Sequence, residues 1–297
     1  MDEEYSSYYL LKPDDLLWVP VCFLVLLIIV YNKRKKYKGT VLYRYYMPAF
    51  LCKIFFAVIF TLVSQYYFLF ADTNHYYQGL LDMHKAVNDD FSFLGDIYFN
   101  LKFKENNRMM NYFLYDQLGI TQFYMYDVKN YMVPRFGLPF SLLFGHSYMA
   151  ISFCLSFFAF GGCWRMFKMF YQLYPHLHKK IAIAFLFLPS LLFWGVGLLK
   201  DTICLGAMGY CLYAAYKIFI KGEKKVVDIL IMVGAGFLLF YIKPYILICL
   251  APAFLLWLFL RFRKYIADKT LRQIATFLFA TVSIVAAFFL VQSFTAS

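Results

Sequence analysis

Four charged residues stand at the ends of apolar runs, where a charge is costly unless it meets water, a partner or a ligand. Asp72 opens the polar stretch Ala-Asp-Thr-Asn-His-Tyr after the second run, and Lys200-Asp201 closes the run that begins at Pro189. Lys243 sits in Tyr-Ile-Lys-Pro-Tyr, a turn so tight that it barely leaves the apolar sequence. A carboxylate beside cations suits one kind of chemistry: the acid takes a proton from an acceptor hydroxyl while the cations hold a phosphate. Lysine binds phosphate as a point charge, and Arg135 would add the two-pronged guanidinium contact. His75, of the residue type whose free side chain changes charge near neutrality, its neighbour Tyr76, and Tyr245 beside Pro244 complete the candidates. The plainer reading of the same residues is helix capping and interfacial anchoring.

The elements that must position these groups are membrane helices. The 297 residues are 63% hydrophobic and 15% charged, far from the ~45–50% apolar content of a soluble domain. Eight apolar runs approach the ~20 residues needed to cross a bilayer. They begin near Leu16, Met47, Leu138, Ile181, Thr202, Val226, Tyr245 and Ala275, and Pro189 and Pro252 interrupt the fourth and seventh. Backbone groups in lipid must be satisfied within the segment, so the runs read as helices. The net charge of +12 is no nucleic-acid signature, because 19 of the 29 Lys and Arg fall in four connections: Tyr31 to Arg44, Gly161 to Lys180, Lys217 to Lys225 and Arg261 to Arg272. That pattern predicts cytoplasmic connections there and both termini on the opposite side. The acidic start, Met-Asp-Glu-Glu, is unlike a cleaved signal peptide, so the first run reads as a retained anchor.

The remaining connection of note is a polar loop of about 67 residues, Ala71 to Gly137. Within it, Asn74 to Val87 and Asn106 to Leu118 carry apolar residues at helical spacing and predict two amphipathic helices on the membrane surface. Asp89-Asp90 and a tyrosine-rich stretch from Gln122 to Met132 follow the first of them. The expected fold is therefore all-α: one polytopic membrane domain, 1–297, with about eight transmembrane helices and an extracytoplasmic loop, 71–137. The seven cysteines lie in or beside apolar runs without metal-ligand spacing and read as small buried hydrophobes. His176 and His178 lie in a basic connection without an acid or cysteine, so no metal site is expected there. His146 reads as a packing residue of the third helix. No phosphate-binding glycine loop, Gly-x-Ser-x-Gly elbow or His-Glu-x-x-His helix is present in the sequence.

An acid just beyond one transmembrane helix, a long outer loop with two surface helices and a second acid at the outer end two helices later resemble the GT-C class of membrane glycosyltransferases. Pro189 to Asp201 and Lys243-Pro244-Tyr245 are similar to stretches of bacterial polysaccharide-assembly, polymerase-like membrane proteins. The resemblance covers roughly Met47 to Tyr245. It implies a transferase that uses a polyprenyl-phosphate-linked sugar donor on the extracytoplasmic face of a bacterial inner membrane, with a glycan or lipid acceptor. Asp72 matches the acid of the first long loop and would be the general base. Asp201 matches the second acid, while Lys200, Lys243 or Arg135 would neutralise the departing lipid phosphate. The paired Asp-Glu usual at the loop start is here Asp72-Thr73, which leaves a divalent cation open as cofactor. Two other classes stand beside this one: a transporter or flippase for a lipid-linked or anionic solute, and a non-catalytic subunit whose loop docks membrane assembly partners.

Overall fold

The computed structural model describes residues 9–68, 71–113, 120–223, 225–263 and 268–295, and these are helical with no strand among them. The chain runs α1 (Asp15–Lys35), α2 (Leu42–Tyr66), α3 (Asp72–Asp89), α4 (Phe93–Phe99), α5 (Asn107–Met110), α6 (Ile120–Met125), α7 (Val128–Phe144) and α8 (Tyr148–Leu173). It continues through α9 (His178–Ala182), a π-helical turn (Ile183–Phe187), α10 (Pro189–Trp194), α11 (Lys200–Ala215), a second π-turn (Tyr216–Ile220), α12 (Val226–Ile242), α13 (Pro244–Phe262) and α14 (Lys269–Thr295). Six helices are long and apolar enough to cross a bilayer: α1, α2, α8, the segment Pro175–Trp194, Lys200–Ile220 and α13. The chain is an integral membrane protein. α12 is apolar but shorter.

The third apolar run does not form one span starting near Leu138. It is cut by Gly145-His146-Ser147, where Gly145 takes φ +61° and ends α7, and Ser147 caps α8 by accepting from Ala150 N at 3.1 Å. The span proper begins at Tyr148, and α7 instead packs along α3. The polar region between α2 and the next span therefore extends to Ser147. The second expected surface helix is also shorter, with α5 followed by a 3₁₀ turn, Asn111–Phe113; residues 114–119 lie outside the described part.

The chain forms two compact units, Met1–Tyr210 and Cys211–Ser297. The first is built on α8, against which α1, α2 and the segment 178–187 pack. Its core is aromatic: Tyr46 meets Trp164 edge-on at 4.6 Å, and Trp164 Nε1 donates to Tyr37 OH at 3.0 Å. α11 crosses α8 at Gly162, where a Cβ would strike the backbone of Gly206; small residues let two helices approach this closely in the absence of a hydrophobic drive. In the second unit Lys217 pairs with Asp228 at 2.5 Å across the connection into α12. Tyr216 stacks on Trp257 of α13 at 6.0 Å between centroids.

Candidate functional site

α3 forms because its apolar and small residues recur every three or four positions. Thr73, Tyr76, Tyr77, Leu80, His84 and Val87 are buried on one face, while Asp72, Lys85 and Asn88 are exposed. That face lies on α7 and α6. The first turn is then fixed by a side chain that no motif or spacing singles out. Thr73 Oγ1 donates to the Leu198 carbonyl at 3.1 Å and shares a hydrogen bond of 2.7 Å with Tyr148 OH, at the start of α8. Asp72, one residue earlier, is thus held beside the stretch that leads into Lys200 and Asp201.

That stretch, Gly195 to Leu199, is non-helical backbone buried inside the bundle. Such backbone is tolerated at membrane depth only where protein satisfies its polar groups. Here Thr202 Oγ1 donates to the Val196 carbonyl at 2.7 Å and Thr73 takes the Leu198 carbonyl. Gly197 sits at φ +75°, and a Cβ there would lie 2.7 Å from the Phe60 ring, so both conformation and space demand glycine. The segment delivers Lys200, half-buried, and Asp201, exposed, to the first turn of α11.

Asp72 is exposed. Tyr124 OH lies 3.3 Å from Tyr76 OH, and Tyr76 donates to Asn130 Oδ1 at 3.2 Å. Burial pushes the Tyr124 phenol above its ordinary range, and the Asp72 carboxylate, within hydrogen-bond reach, pushes it further. Tyr76 is raised for the same first reason. Both phenols are therefore neutral donors at pH 7. The His75 ring stands 4.9 Å from that of Tyr124. Asp72, His75, Tyr76 and Tyr124 form one cluster at the mouth of α3.

The other predicted residues are placed differently. Arg135, 4% exposed, donates to the Tyr98 carbonyl at 2.8 Å and lies 5.1 Å from the centre of the Tyr131 ring, turned into the packing of α4 on α7. Tyr131 is itself pushed up to about 12, mainly by burial. Lys243 and Tyr245 belong to the second unit, where Lys243 occupies the tight turn between α12 and α13 and Tyr245 is exposed in the first turn of α13. Among the described residues no group of three or more His, Cys, Asp or Glu could hold a metal.

Two further features come from the fold. Lys53, 3% exposed and mid-way along α2, donates from Nζ to the Leu191 carbonyl at 2.7 Å. α10 ends three residues later, so the cation meets the negative end of a short helix cut off by Pro189 and Gly195. It lines a small cavity of about 10 Å³ with Ala49, Phe160 and Cys163. The second feature is a histidine pair. His84 Nδ1 bonds Ser141 Oγ at 2.5 Å, and its ring lies 4.4 Å from that of His146, which borders an open cleft of about 420 Å³ with Lys12, Asp82, Lys85 and Asn88.

Two predictions arise here. Thr73→Val keeps the shape of the side chain and orphans the Leu198 carbonyl, a loss of about 1–3 kcal/mol for a buried polar group. The melting midpoint in detergent should fall, and Thr73→Ser should restore most of it; an unchanged Thr73→Val protein would dismiss the seat. Burial lowers the pKa of both His84 and His146, helped in His84 by its neighbour and in His146 by Lys12, with Asp14 opposing. The unfolded chain then binds protons that the folded chain refuses. Stability is complete above the free-histidine value of about 6.5 and declines as pH falls through it. His84→Asn should shrink the difference between melting midpoints at pH 7.5 and pH 5.5, and an equal difference in both proteins would refute the assignment.

The chain matches no family model, no curated protein and no solved structure.

Proposed function

We propose that this chain is a membrane glycosyltransferase that moves a sugar from a polyprenyl-phosphate-linked donor to a glycan or lipid acceptor at the extracytoplasmic face of a bacterial inner membrane. In this reading α12 and α14 cross the bilayer together with the six candidates above, and both termini lie outside. The observation that supports it is the Thr73–Leu198 hydrogen bond, which ties the first turn of α3, where Asp72 is exposed, to the segment that leads into Lys200-Asp201. The acceptor hydroxyl gives its proton to Asp72 as its oxygen bonds the anomeric carbon. The bond from that carbon to the phosphate oxygen breaks, and the lipid phosphate leaves with the electron pair. Lys200 offsets the growing charge on the phosphate, and Asp201 orients the acceptor. Arg135 is left out of this scheme because its guanidinium is turned inward.

Transport is the second reading, and Lys53 at the broken helix is what favours it, because buried charges beside interrupted helices mark solute sites in transporters. The cavity there holds at most one water, too little for an anionic or lipid-linked solute. The deciding experiment quantifies polyprenyl-linked sugars by mass spectrometry in membranes that contain the wild-type chain or Asp72→Asn. Wild-type membranes should consume a donor that the variant leaves in place; equal donor pools would sink the transferase reading.

A further inference from the structure

Cys22 and Cys154 are far apart in sequence, and the fold sets their Sγ atoms 3.6 Å apart across the seam between α1 and α8. Cys22 is fully buried and Cys154 is 7% exposed. Contacts above the pair hold the two helices in register. Ser147, at the start of α8, donates to the Asp15 carboxylate, at the start of α1, and beside the pair Phe23 of α1 packs edge-on against Phe153 of α8 at 6.4 Å. Cys22 Sγ also contacts the Ala150 carbonyl oxygen at 3.5 Å, which keeps its thiol on the α8 side of the helix. At about 1.5 Å of rise per residue, both sulfurs lie roughly 10 Å from the starts of their helices.

We propose that Cys22 and Cys154 are an oxidisable pair, a disulfide site that ties the first helix to α8. Disulfide sulfurs stand about 2.05 Å apart, so closure takes about 1.5 Å of movement, within the range of side-chain rotation on two helices already in contact. Both S–H bonds break and one S–S bond forms. Two protons and two electrons pass to a lipid-soluble two-electron acceptor of the quinone class, which becomes a hydroquinone; the apolar surroundings favour such a carrier over a water-soluble oxidant. The bond would enclose α2 and the whole region that carries Asp72, and it depends in no way on the transferase reading.

A protease site inserted between Gly39 and Thr40, in the exposed connection from α1 to α2, makes the bond visible on a non-reducing gel. Membranes holding the full chain are treated with copper-phenanthroline in air, blocked with N-ethylmaleimide and cleaved. The two fragments should stay joined in the parent and part on adding dithiothreitol. They should part without reductant in Cys22→Ser and in Cys154→Ser, and stay joined in Cys163→Ser, which keeps the proposed pair on the same two helices. Fragments that part in the parent, or stay joined in Cys154→Ser, would overturn the pairing. Linkage by copper-phenanthroline with none by a short-chain quinone would overturn the assignment of the oxidant. Cys22→Ala, checked for a monodisperse elution profile, guards against a serine variant that fails to fold.

Discussion

Asp72→Asn should leave the chain folded and inserted and cut sugar transfer by about 10²- to 10⁴-fold, the usual contribution of a positioned general base. The amide has the shape of the carboxylate and still accepts from the Tyr124 hydroxyl, so the cluster at the mouth of α3 is preserved. Because the residue is exposed, the stability cost is confined to a weaker interaction with the positive end of α3, about 0.3–1 kcal/mol. Only the proton acceptor is lost. Asp72→Glu separates base from scaffold: it keeps a carboxylate one methylene further out and should retain partial activity with an unchanged melting midpoint. Donor consumption at the wild-type rate by Asp72→Asn would remove Asp72 from the chemistry. A fall in activity matched by a fall in stability would make it a structural cap.

The position of Asp72 was legible because α3 writes its own register: Thr73, Tyr76, Leu80, His84 and Val87 recur at helical spacing, and the acid falls just ahead of them. The charge pattern and apolar lengths likewise gave membrane helices without reference to coordinates. The start of the third span was misjudged because Phe144 and Tyr148 flank the break with residues as apolar as the helices on either side. The break lives in two backbone facts, the left-handed Gly145 and the Ser147 cap, and the Ser three residues before Ala150 was the one usable signal. Arg135 was moved by the same shift. A guanidinium before an apparent span suggested a phosphate contact, but with the span displaced to Tyr148 the same residue falls inside α7 and is spent on the Tyr98 carbonyl. Contacts such as Cys22 with Cys154 or Lys53 with a backbone carbonyl carry no sequence periodicity, so only the fold reveals them.

Lys53 gives the sharpest separation between the two functional classes. Its ammonium has one recorded hydrogen-bond acceptor, the Leu191 carbonyl, against a desolvation penalty of several kcal/mol for an ion taken out of water. A neutral hydrogen bond returns only about 1 kcal/mol, and one made by a charged group about 1.5–3 kcal/mol, so the buried charge is a net burden on the fold. Lys53→Met keeps the length of the stem and discards the charge. It should raise stability, by an amount on the order of the 1–4 kcal/mol gained when buried ion pairs give way to apolar residues of similar volume. Lys53→Ala opens a cavity and should fall below the methionine variant by about 2–5 kcal/mol, as truncation of long core side chains does. Both are read from melting midpoints in detergent. If the cluster at Asp72 does the chemistry, Lys53→Met consumes donor at the wild-type rate, because the ammonium is buried beside a cavity of about 10 Å³, too small for a substrate. A stabilised Lys53→Met protein that has lost all function would show a charge kept against its folding cost, and the transport reading would then displace the transferase.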